Sequence, residues 1–216
     1  EMETYGNYNE KNEEKYQSSE KRFKDALAKI EKLEGKFCTW EKAPEVGVGM
    51  LTSKDQKLQI LVWDWQSGGT MHEYGSIWRY QLPNGTWKTE VNELSSYITR
   101  LVPLKLNGKP YYYIETSDIY SQCHHAIAAK FYQITEKGLE EANLIQGKKP
   151  TSNIEVSFIS YTNNDLPESN AYFDYDLKNN CFSFPLVHQF DDTCGNGKMT
   201  SERIYYRFDG KHFEKE

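Results

Sequence analysis

A chain of 216 residues holds one domain with a sizeable core, or one domain with an appendage. Its formal charge of −6 and isoelectric point near 5.5 leave no basic surplus for phosphates, which argues against a nucleic-acid partner. No apolar run approaches the roughly 18 residues that a membrane-spanning helix needs, so no membrane span is expected.

Residues 1–9 carry no periodic signal and are expected to be disordered. From 10 to 35 the pattern is helical, with Tyr16, Phe23, Leu27, Ile30 and Leu33 forming one apolar stripe. Glu20 with Lys24 and Asp25 with Lys29 are favourable i,i+4 pairs, and Gly35 is suited to stop the helix. Five apolar positions are too few for a long coiled coil, so this helix is expected to pack on its own domain.

Residues 36–216 read as a single β-rich domain, in which Gly and Asn punctuate short runs rich in Tyr, Val, Ile and Trp. Three hairpins look alike: YQLPNGTW at Tyr80, YQITEKGL at Tyr132 and YRFDGKHF at Tyr206. Each puts a Tyr and the apolar residue two positions on along one face, ahead of a turn containing Gly. His72 and His124 each lie eight residues before the Tyr of their hairpin. This spacing predicts a mainly β fold of three repeated antiparallel four-stranded meanders, starting near 46, 97 and 154. A propeller-like open arc capped by the helix is the first expectation; a barrel or sandwich is the alternative.

In that arrangement the long loops collect at one edge. They carry Asp64, Trp65, His72, Asp118, His124, His188 and Asp191, the candidate ligand-binding residues. Imidazole with carboxylate also suits metal ligation or proton transfer near neutral pH, which suggests a metal-dependent hydrolase as the alternative function. The spacing matches no HExxH or nucleophile-elbow pattern, and GVG at 47–49 precedes no helix pattern. The expected function is therefore non-catalytic and without a cofactor: binding of a small molecule, a glycan or another envelope protein.

Of four cysteines, Cys181 and Cys194 bracket a short segment whose closure by a disulfide would contribute about 3 kcal/mol. Pairing of Cys38 with Cys123 would need the start of the sheet to reach the second unit's loop. A disulfide implies an oxidising compartment, and a chain beginning at Glu1 rather than Met fits a processed or a trimmed N-terminus. The stretches DWQSGGTMHEY, YDLKNNCFSFPLV and YYRFDGKHF resemble uncharacterised exported proteins of Bacteroides-type gut bacteria. The resemblance implies an extracytoplasmic location, whether periplasmic, cell-surface or secreted, and no activity.

Overall fold

The structure is a computed structural model that describes residues 48–65, 71–92, 96–159, 172–189 and 197–216, with isolated positions between 18 and 29. The disordered segment expected at 1–9 lies outside these residues, as does all but those isolated positions of the helix expected at 10–35.

Four strands form the first sheet: β1 (Val48–Thr52), β2 (Leu58–Asp64), β3 (Tyr74–Gln81) and β4 (Trp87–Asn92), paired antiparallel in chain order. The second sheet opens with β5 (Tyr97–Leu106), β6 (Lys109–Ile119), β7 (His124–Ile134), β8 (Leu139–Glu141) and β9 (Asn153–Ile159). It is completed by β10 (Asp174–Asp176), β11 (Cys181–Gln189), β12 (Gly197–Phe208) and β13 (Phe213–Lys215). Its order is β10-β11-β12-β9-β7-β6-β5, with β8 added to β7 and β13 to β12. All its pairings are antiparallel except β9 with β12. The sheet curls into a half-barrel. Tyr113 of β6 and Tyr175 of β10, far apart in that order, consequently pack with ring centroids 4.8 Å apart.

The three expected hairpins all form. Each closes with a backbone hydrogen bond across its turn, from Leu82 to Thr86, Thr135 to Gly138 and Asp209 to His212. Gly85, Gly138 and Gly210 take the positive φ these turns require. The strands nevertheless make two sheets rather than three units in an arc. Strand β7 is long enough to pair with β9 over its first half and with β8 near its end. Strand β9, expected to open a third unit, thereby becomes the join between β7 and β12.

Side-chain parity sets the packing. Odd positions of β6 and β7 (Tyr113, Ile127, Ala129, Phe131) enter the half-barrel core, with Phe182, Phe184 and Phe213 from the far strands. Even positions (Tyr112, Ile114, Tyr132, Ile134) face outward and meet Leu58, Ile60, Trp78 and Tyr80 of the first sheet. The other face of the first sheet buries Val48, Leu61, Trp63 and Ile77.

Gly75 has no room for a side chain. A methyl there would lie 2.4 Å from Cζ2 of Trp63, whose indole is itself buried. Gly75→Ala is expected to lower stability by about 1–3 kcal/mol, read as a fall in the urea midpoint without a change in slope.

Candidate functional site

The interface between the two sheets runs from an apolar end to a polar one, which forms its mouth. On the first sheet the facing rows are Leu58/Tyr80, Ile60/Trp78, Val62/Ser76 and finally Asp64/Tyr74. On the second they are Tyr112/Tyr132, Ile114/Lys130, Thr116/Ala128 and Asp118/Ala126, with Tyr120 and His124 beyond. Asp64 and Tyr74 therefore lie at the same end as Asp118, Tyr120 and His124, with Asp118 close enough to act on Tyr74. The same alternation that builds the apolar contact delivers the charged residues to its rim.

His72 is held by groups of both sheets. Nδ1 of His72 lies 2.5 Å from Oδ2 of Asp64, and its backbone N–H donates to the carbonyl of Ile119 at 3.2 Å. Ile119 is directly opposite His125, so His72 and the His124–His125 pair share one end of the molecule. The His125 pKa is lowered by burial, then by the neighbouring His124 and His72 imidazoles. Nδ1 being engaged by Asp64, the Nε2 edge of His72 is left for proton transfer or a ligand.

Aromatic rings line the rim. Tyr74 lies between His72 and Tyr97, with centroids 6.0 Å and 5.3 Å away, and Tyr120 meets His124 edge-on at 4.8 Å. Burial and then the carboxylates of Asp64 and Asp118 push the Tyr74 hydroxyl up to about 12. Tyr120 is raised by burial and then by Asp118 and Glu155. Asp118 is thus the charge felt by tyrosines on both sheets. It is 5% exposed, and burial raises its own pKa against a hydrogen bond from Ser96 and the attraction of Lys130. Thr116, 1% exposed and on the same face of β6, has its Oγ1 buried without a hydrogen-bond partner. Nε2 of His124 is likewise buried and unpartnered.

Asp64 and His72 are in contact, and Asp118, expected on a loop but standing within β6, acts with Asp64 on Tyr74; His124 shares their end of the molecule. Trp65 does not join them: it packs edge-on against Trp63, 5.3 Å between centroids, on the opposite face of the first sheet. His188 pairs with Lys198 on β11, three strands from His124. That separation is about 14 Å along the sheet. Asp191 lies outside the described residues. Among the described residues no group of three or more His, Cys, Asp or Glu side chains is arranged to hold a metal ion.

The cysteine pairing expected at Cys181 and Cys194 is corrected: Cys181 carries a free thiol, whereas Cys123 is disulfide-bonded. Cys181 is one residue before Phe182 in the half-barrel wall and pairs with Arg207, so its place is set by the strand ladder. The partner of Cys123 lies outside the described residues.

Tyr74, Tyr97, Tyr120, Ser96, Thr116 and Lys130 were not among the sequence candidates. Two signals bore on them: Lys130 interrupts the apolar run AIAAKFYQI, and Tyr120 follows Asp118 at the same strand parity. No protein-family model, curated protein or solved structure matches the chain.

Two outcomes test this geometry. A carboxyl whose pKa is raised on folding favours the folded state at low pH. The stability it offers is lost as pH rises above its ordinary value of 3.8 and through the raised one. Asp118→Asn is therefore expected to be more stable than the parent at pH 7, with the difference vanishing at the acid end of a pH series of thermal melts. Alkylation of the unfolded, unreduced chain followed by mass spectrometry is expected to label Cys181 and leave Cys123 unlabelled.

Proposed function

We propose that this chain is an exported, non-catalytic β-domain that binds a ligand, a small molecule or a glycan, at the mouth between its two sheets. The observation that carries this reading is that Asp64, His72 and Tyr74 of one sheet share an end with Asp118, Tyr120 and His124 of the other, where His72 bonds to Ile119 and Asp118 acts on Tyr74. Polar groups on rigid strands, with exposed rings beside them, are the usual makings of a recognition site. The disulfide at Cys123 supports an oxidising, extracytoplasmic compartment. Descent from a repeated hairpin unit is consistent with the three similar turns.

A hydrolase is the second reading, favoured by the 2.5 Å contact of Asp64 with His72, which suits an acid–base pair. Elemental analysis of chelator-free protein separates the two, since stoichiometric zinc would favour the enzyme.

Thermal-shift and titration screens of glycans and small metabolites test the binding reading. A stabilising ligand is expected whose effect weakens at least about tenfold in His72→Ala. Turnover on a generic substrate panel without any binding partner would overturn it.

A further inference from the structure

The geometry points to an organic ammonium ion, a small cation carrying N–H donors, as the ligand of this mouth; the inference rests on the binding reading above. Cations are drawn both to aromatic faces and to carboxylates, and the rim supplies both. Tyr74 packs on Tyr97, Tyr120 packs on His124, and Asp118 acts on both Tyr74 and Tyr120; Tyr97 and Tyr120 are 38% and 40% exposed. Asp64 also acts on Tyr74, and Glu155 on Tyr120. Against these three carboxylates Lys130 is the cation facing Asp118 and Glu155, and the nearby histidines are His72, His124 and His125. With the imidazoles neutral the mouth is net negative.

Two further groups separate an ammonium from a fully alkylated cation. The Oγ1 of Thr116 and Nε2 of His124 are buried without partners. Each can accept a hydrogen bond, as can the lone pairs of Asp118 not used by Ser96. Buried polar groups left unmatched cost free energy, which a ligand bearing N–H donors relieves. The burial of Asp118, which disfavours its charged form, is offset by the same ligand. A neutral sugar satisfies the hydrogen bonds but gains nothing from the charge, and a quaternary ammonium does the reverse.

Isothermal titration of the full chain at neutral pH with putrescine, butane-1,4-diol, choline and a panel of neutral saccharides tests this. Putrescine is expected to bind, choline more weakly, and the diol, its neutral counterpart of equal length, at least about tenfold more weakly still. Asp118→Asn, which removes the charge, is expected to weaken putrescine about tenfold or more while remaining folded. Tyr120→Ala, at an exposed position, is expected to cost roughly threefold to tenfold, and Tyr120→Phe to retain affinity because the ring face persists. Equal binding of putrescine and the diol, or an Asp118→Asn protein with unchanged affinity, overturns the inference. Saccharide binding that is lost in His72→Ala, without putrescine binding, overturns the ammonium assignment and leaves the binding mouth standing. Failure of every titrant counts against both.

Discussion

Alternate side chains of β7 enter two different cores, and most of the molecule is arranged to accommodate that strand. Ile127, Ala129 and Phe131 point into the half-barrel, while Tyr132 and Ile134 point out to the first sheet. A strand buried on both faces has no side left for solvent, so a second layer must lie against its outer face. The first sheet is that layer. Its short meander places Leu58, Ile60, Trp78 and Tyr80 against the outward row, and its outer face in turn buries Trp63 and Ile77.

The mouth is a consequence of where that cover ends. The apolar rows close the interface around Tyr112 and Tyr132, and past Lys130 the rows change to Ser76, Thr116 and Ala128 before Asp118, which stands opposite Ala126. Small side chains lower the contact surface between the sheets just where the carboxylates and imidazoles begin. The hydrogen bond from His72 to Ile119 spans the two layers at this rim. Asp64, Tyr74, Asp118 and His124 stand on strands anchored by two cores, and register determines their positions along those strands.

Strand content and hairpins were legible in the sequence because their signals are local. YITRLVPLKL begins and ends where β5 does, and Asn84-Gly85 and Asp209-Gly210 turn as their chemistry requires. The spacing of eight residues before Tyr80 and Tyr132 brought His72 and His124 to a common end of the fold. What the sequence did not show was pairing between distant strands. Nothing local says that β9 joins β7 on one side and β12 on the other, and that join turns the expected arc into one curled sheet. It also carries His188 away from the mouth. Trp65 misled for a related reason: strand parity put it with Trp63, but parity alone does not say which face is the covered one.

The join between β9 and β12 also bears on how the half-barrel coheres. Among the described residues it has one registered pair, Phe158 with Gly197, whereas the neighbouring ladders run for many residues. Phe213 of β13 adds backbone hydrogen bonds with Leu144 and Gln146, and rings bridge the two sides: Phe131 of β7 lies 5.8 Å from Phe182 of β11 and 5.0 Å from Phe213, centroid to centroid. Apolar association weakens on cooling, unlike a backbone ladder, whose strength is mainly enthalpic. Much of the closure between the two halves is therefore apolar packing, the contribution that fades as temperature falls.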